Sequence, residues 1–329
     1  MKKNLLTCLL MLFTTLCITS CAKNDTAYSK TGLYFDTVVK ITLYDAPDKN
    51  IAQSILDECF FKLEHYEKLF SRTLEGSDVY RINHSNGETL SVDPETVKLI
   101  NEAVSYSKIS DGTVDPTVGS LSSLWNIGSS SDNIIPSDER IKDALAKVGY
   151  ENILISGNQI TLLNDSMIDL GFIAKGYIAD NLKFYLKDKG IGSAIIDLGG
   201  NIVLVGDKNG SSFRIGLKDP ENPGGEPITT LDLTDSSIVS SGGYERFINY
   251  NGKRYHHILS LKDGYPAESD LNMVSIISDK SIDGDALSTI CFILGKDKAV
   301  DFLNTSYPEV KAVFVDRDNN ISYLNDQKP

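Results

Sequence analysis

The chain has 329 residues, 41% of them hydrophobic and 23% charged, a globular composition that excludes a largely disordered protein. That length suits one large domain or two lobes. The formal net charge of −13 opposes general nucleic-acid binding, and it means that a phosphate-bearing ligand needs a metal ion or a backbone-amide cradle to offset repulsion.

Lys2 and Lys3 precede an apolar run, Asn4 to Ile18, that is too short for a comfortable membrane span and reads as a signal peptide over residues 1–20. Ile18-Thr19-Ser20-Cys21 resembles a bacterial lipoprotein box. Lipidated Cys21 then becomes the mature N-terminus; ordinary cleavage leaving Cys21 as a spare thiol is the alternative. Residues 21–30 read as a polar tether and 31–329 as the folded domain. Loss of the two lysines takes the mature charge to −15, with 30 basic against 45 acidic residues. The expected location is the outer face of the cytoplasmic membrane, or the periplasmic face in a Gram-negative cell. Cys59 and Cys291 sit in apolar helical patterns and are expected to be buried free thiols; no Cys or His spacing suggests zinc.

Val38 to Tyr44 reads as a strand. Ile51, Ile55, Cys59, Leu63, Tyr66 and Phe70 recur at helical spacing, predicting a helix over 51–70. Asp93-Pro94 opens a helix ending near Gly112, and Ser137-Asp138-Glu139 opens another. Hairpins are expected over Ile153–Leu163, around Gly157-Asn158, and over Arg246–Leu259, turning at Asn251-Gly252. Asp219–Pro227 is a loop, Asn272–Ser278 a strand and Gly284–Leu294 a helix. Strands in runs with helices inserted define an α+β fold with at least partly antiparallel sheets.

Three segments carry candidate chemistry. In Ile168–Tyr177 a short apolar strand runs through Gly171 into a helix, so backbone amides and Lys175 are placed to hold an anion; a plain tight turn with a solvent-facing lysine has the same local pattern. In Asp283–Thr289, Asp285 and Thr289 share a helix face and offer hard oxygens suited to Mg²⁺; an acidic residue favoured by the helix dipole has the same pattern. In Tyr255–Leu259, strand alternation sends His256 and His257 to opposite faces, so one can enter a site as a general base; incidental strand histidines remain the alternative.

Eight segments in order resemble the ApbE family of FAD:protein FMN transferases, over about Leu33 to Leu324. They are Phe35–Val39; Phe70-Ser71-Arg72 with Ser77–Asn83; Asp111–Gly119 closed by Leu124-Trp125; Asp169–Tyr177; Leu198–Asn201; Ser241–Arg246; Tyr255–Leu259; and Asp285–Thr289. The resemblance implies a two-lobed fold with mixed, largely antiparallel sheets and flanking helices. It implies Mg²⁺-dependent transfer of FMN from FAD to a Thr or Ser hydroxyl of an acceptor protein, with release of AMP; Mn²⁺ suits the same ligands. Asp285, Thr289 and the main chain of Phe172 match the metal ligands. Phe35, Thr73, Thr113, Val114, Asp115, Asp169, Lys175 and Leu259 match positions that bind FAD. His257 matches the general base, with Lys175 and Asp285 beside it in catalysis. Implied acceptors are electron-transfer proteins such as subunits of Nqr- or Rnf-type complexes. An FAD pyrophosphatase giving FMN and AMP, and a non-catalytic FAD-binding lipoprotein, are the alternatives. The segment Leu259–Gly264 departs from the Asp-Pro-x-Thr-Gly usual after the His-Ile pair.

Overall fold

The structure is a computed structural model that describes residues 26–128 and 135–325. Cys21 and the signal segment lie outside the described residues. In chain order the strands are β1 (Tyr28–Tyr34), β2 (Thr37–Leu43), β3 (Leu90–Ser91), β4 (Ile153–Ser156), β5 (Gln159–Leu162), β6 (Ser193–Leu198), β7 (Asn201–Gly206), β8 (Phe213–Leu217), β9 (Thr229–Leu233), β10 (Ser237–Gly242), β11 (Phe247–Tyr250), β12 (Lys253–His256), β13 (Leu271–Ser278), β14 (Lys311–Asp316) and β15 (Ile321–Leu324). Eight of them make one sheet in the order β1-β2-β6-β7-β10-β13-β14-β15. Every neighbouring pair in it is antiparallel. Among the described residues the parallel contact is the isolated Val118–Met167 bridge.

Side-chain alternation builds a layer on each face of that sheet. In β13, Val274 and Ile276 point into the helical layer, whereas Met273 and Ile277 point to the other side. There the β8–β9 hairpin covers the sheet with Phe213, Ile215 and Leu231. A third, smaller cluster holds Leu121, Trp125, Ile141 and Leu259. Cys59 and Cys291 are buried free thiols, as their patterns predict.

The helix Lys49–Phe70 begins where Asp48 caps it, accepting from the amides of Asn50 and Ile51 at 2.8 and 2.9 Å. Its apolar face buries Ile55, Leu56, Cys59, Leu63 and Tyr66, each large side chain contributing about 1.5–3 kcal/mol. The same helix reaches the β1–β2 turn: Glu67 accepts from the Phe35 amide at 2.8 Å. Phe35 and Asp36 both have positive φ, 52° and 56°, as a two-residue hairpin turn requires.

Helices Ala174–Asp188 and Ser281–Leu294 cross closely enough to place the site. The second helix starts three residues earlier than its sequence pattern suggests, because its cap comes from outside the local segment. Asp180 of the first helix accepts from Ser281 N at 2.7 Å and Ile282 N at 3.0 Å. At the crossing, a Cβ on Gly176 would fall 2.4 Å from the Ser281 carbonyl oxygen and 2.6 Å from Ile282 Cα. Gly176→Ala therefore forces the two backbones apart. An expected loss of about 1–3 kcal/mol is checked by urea denaturation; a variant as stable as the parent would contradict this packing.

Candidate active site

A cavity of about 540 Å³ opens beside this crossing, within the range that encloses a small-molecule ligand. The predicted residues Phe35, Thr73, Thr113, Val114, Asp115, Asp169, Phe172, Lys175, His257, Leu259 and Thr289 all line it. Asp285 lies just behind the wall, its side chain only 5% exposed, with one carboxylate oxygen 3.5 Å from Lys175 Nζ.

The helix crossing explains that placement. Gly176 N donates to Asp285 Oδ2 at 2.9 Å, so the bare glycine lets one helix's first turn approach the other's carboxylate. Lys175, one residue earlier, emerges into the cavity and also donates to the Gly171 carbonyl at 3.4 Å. Thr289, one turn beyond Asp285, has its hydroxyl 3.4 Å from both the Asp285 carbonyl and Ser241 Oγ. These long contacts leave the hydroxyl weakly committed.

The segment before the helix corrects two expectations. Residues 168–170 are not a strand; Ile168 is clamped instead by the Asn83 side chain, which donates to its carbonyl at 2.8 Å and accepts from its amide at 2.6 Å. The expected amide cradle is largely consumed by the fold. Gly171 N donates to Asp169 at 2.9 Å, and Ile173 N and Ala174 N both donate to the Leu170 carbonyl, at 3.1 and 2.9 Å. The Lys175 ammonium is thus the principal anion-facing donor of this turn. Arg72 supplies a second cation, its Nε 3.1 Å from Asp169 Oδ2.

Asp115 is used differently from a ligand-facing carboxylate. It accepts from Thr117 N at 2.7 Å, Thr117 Oγ1 at 2.6 Å and Tyr150 N at 2.8 Å. Burial raises its pKa, opposed by those hydrogen bonds. Its carboxylate organises the loop, so what it offers the cavity is the shape of the Thr113–Asp115 backbone. Leu259 likewise sends its side chain into the Leu121–Trp125–Ile141 cluster. The departing loop after it is a tight turn anchored from outside: Ser260 N donates to the Tyr265 carbonyl, and Trp125 Nε1 to the Gly264 carbonyl, both at 2.7 Å.

The hairpin β11–β12 separates the two histidines as alternation predicts. His256 is buried and its Nε2 donates to the Ala267 carbonyl at 3.1 Å. His257, one residue past the end of β12, opens onto the cavity. Its Nδ1 faces the Arg246 carbonyl at 3.3 Å. A carbonyl only accepts, so Nδ1 carries the proton and Nε2 keeps a free lone pair. The ring itself stays exposed at the cavity, but the protein crowded around it, with Arg246, His256 and Lys175 nearby, lowers its pKa to about 4 despite the opposing backbone hydrogen bond. The imidazole is neutral at pH 7.

Arg246, Glu245, Lys218 and Trp125 also line the cavity, although the sequence reading assigned them no role. Glu245 has a raised pKa through desolvation, partly offset by Lys175, Lys218 and Arg246. The signal for Arg246 was present in the Asn251-Gly252 turn: a two-residue turn there pairs Phe247 with His256 and sets Arg246 opposite His257.

A metal ion fits the donor set. Among the described residues no cluster of three or more His, Cys, Asp and Glu could hold one. The set is instead one carboxylate, Asp285, the loosely bonded hydroxyl of Thr289 and the carbonyl of Phe172, to which no hydrogen bond is made among the described residues. Few protein oxygens, leaving room for water and phosphate, is the ligation that Mg²⁺ favours.

An α+β scaffold with a nucleotide-sized cleft, a cation–carboxylate pair and a neutral histidine defines a class of enzyme acting on phosphorylated ligands. The chain belongs to the ApbE family, whose model matches residues 35–314. It is 31% identical over 312 residues to the FAD:protein FMN transferase of Treponema pallidum (strain Nichols), covering 89% of this chain and 86% of that protein. It is also 31% identical over 309 residues to the FAD:protein FMN transferase of Klebsiella pneumoniae (strain 342), covering 93% and 94%. Its fold matches the crystal structure of the ApbE protein of Thermotoga maritima with a TM-score of 0.83 at 33% identity, over 91% of this chain and 97% of that one.

Proposed function

We propose that this protein transfers FMN from FAD to a Ser or Thr hydroxyl of an acceptor protein and releases AMP. The observation that carries the reading is one cavity, in a member of this family, that brings the Lys175–Asp285 pair and Thr289 together with a histidine whose Nε2 is free. The cavity wall between Trp125, Ile127, Leu259 and Leu261 is apolar enough for a flat ring, whereas Arg72, Lys175 and Lys218 suit phosphates.

In this reading Asp285, Thr289 and the Phe172 carbonyl hold Mg²⁺ or Mn²⁺. When bound, the ion neutralises charge on the pyrophosphate and on the departing AMP. Lys175 holds a phosphate oxygen. Nε2 of His257 takes the proton of the acceptor hydroxyl as its oxygen bonds to the FMN phosphorus and the pyrophosphate bridge breaks toward AMP. The nucleophile comes from the partner, so no serine or cysteine nucleophile is needed here. Acceptors are extracytoplasmic electron-transfer proteins such as Nqr- or Rnf-type subunits. A lipid on Cys21 keeps the enzyme at the outer face of the membrane with them.

Incubation with FAD, Mg²⁺ and an acceptor protein carrying an accessible Thr or Ser hydroxyl tests the reading by intact mass: gain of one FMN unit is expected, and free FMN with an unmodified acceptor would instead mean hydrolysis. The protonation state of His257 adds a pH prediction. A base whose pKa is lowered to about 4 is neutral above it and disabled below it. The logarithm of kcat/KM for FAD should therefore be flat down to about pH 5 and fall below that. An acid limb centred at the ordinary histidine value of about 6.5 would contradict the lowered pKa of this ring.

A further inference from the structure

Arg246 touches the catalytic region at both ends. Its backbone carbonyl accepts from His257 N at 3.1 Å and faces His257 Nδ1 at 3.3 Å. Its side chain leaves the hairpin and crosses the cavity rim. There Nη2 donates to the Asp36 carbonyl at 3.3 Å, on the left-handed turn between β1 and β2. On the way its stem passes Gly128, where a Cβ would lie 3.5 Å from Arg246 Cδ. Phe35, Asp36, Ile127 and His257 all line the one cavity, so a single residue joins three separate stretches of its rim.

We propose that Arg246 is the positioning residue for His257: its guanidinium straps the β11–β12 hairpin to the Phe35–Asp36 turn, and this fixes the carbonyl that sets the orientation and tautomer of the imidazole. The proposal rests on His257 being the general base. The need for a strap follows from the local structure. Among the described residues the β11–β12 sheet pairs with no other strand, and the His257 N–Arg246 carbonyl bond closes its open end; such isolated hairpins hold their ends poorly. A proton acceptor displaced by about 1 Å loses on the order of 100-fold in rate. Lysine cannot substitute, because its ammonium sits one atom short of the Nη2 that makes this already long 3.3 Å contact with the Asp36 carbonyl. The charged and titratable groups around the ring are Arg246 itself, His256 beside it, Lys175 from the facing helix and Glu245 in the same cavity wall.

The test compares wild type with Arg246→Met and Arg246→Lys in two measurements: steady-state transfer to the acceptor, and the ¹⁵N shifts of the His257 ring in the protein without FAD. Both variants should lose about 100-fold in kcat while KM for FAD stays within about threefold. The ¹⁵N shifts should report Nδ1–H alone in wild type and a mixture of tautomers in both variants, with the pKa of the ring higher in Arg246→Met, where a cation is lost. Arg246→Lys supplies the same readings if Arg246→Met does not fold. Wild-type kcat, or an unchanged tautomer in a folded variant, would overturn the strap. A wild-type protein that releases no AMP would overturn the transferase reading instead, and the tautomer measurement would still judge the strap.

Discussion

Replacing Asp285 by Asn should remove metal-dependent turnover while leaving the fold in place. Asp285 is the sole carboxylate in the proposed ligand set, so its loss forfeits several kcal/mol of transition-state stabilisation. At about 1.4 kcal/mol per tenfold, that is on the order of a 10³-fold fall in kcat. Asparagine preserves the structural half of the role, because its amide oxygen can still accept from Gly176 N, now 2.9 Å from Oδ2. Lys175 loses its partner but is 29% exposed on its side chain, so water compensates and stability should change by no more than about 1.5 kcal/mol. Asp285→Ala is a poorer probe, since it strands a buried amide at a cost of about 1–3 kcal/mol. Transfer rates measured against Mg²⁺ concentration, with urea denaturation of the same samples, check both halves. An Asn variant with a normal metal response would displace Asp285 from the ligand set.

His257→Ala should have the second large effect, and on a different quantity. General-base catalysis contributes about 10²–10⁴-fold, so kcat for transfer should fall by that range. The ring opens onto the cavity rather than filling the core, and its hydrogen bond to Arg246 is long. FAD affinity should therefore stay within a few-fold and thermal stability should be nearly unchanged. Fluorescence titration of FAD alongside transfer kinetics separates the two terms. Transfer at the wild-type rate would remove His257 from the reaction.

Much of this architecture is legible in the chain because it is local. The apolar spacing from Ile51 to Phe70 dictates a helix and its buried face, and Asn251-Gly252 dictates a hairpin and its register. Asp285 and Thr289 share a face because residues four apart lie about one turn apart on a helix. What escapes local reading depends on distant partners. Ile168–Leu170 has the composition of a strand, but among the described residues no strand takes it up; the Asn83 side chain and the Pro116 carbonyl do. Asp115 looks like a ligand-facing acid, yet Thr117 and the remote Tyr150 amide occupy it. The early start of helix Ser281–Leu294 is fixed by Asp180, about a hundred residues upstream. The residues proposed to hold metal and phosphate and to act as base were named through ordered motifs, and they line or back one cavity, whereas the Arg246 contact with Asp36 required the fold to bring the first hairpin against the sixth segment of the motif series.

The central claim, that FAD is cleaved by an acceptor hydroxyl, is tested most directly by counting both products of one reaction. The protein is incubated with FAD, Mg²⁺ and acceptor; AMP is quantified by chromatography and bound FMN by the intact mass of the acceptor. The account predicts one AMP for each FMN-bearing acceptor, with little free FMN. AMP accompanied by an equal amount of free FMN and an unmodified acceptor would contradict it and identify water as the nucleophile.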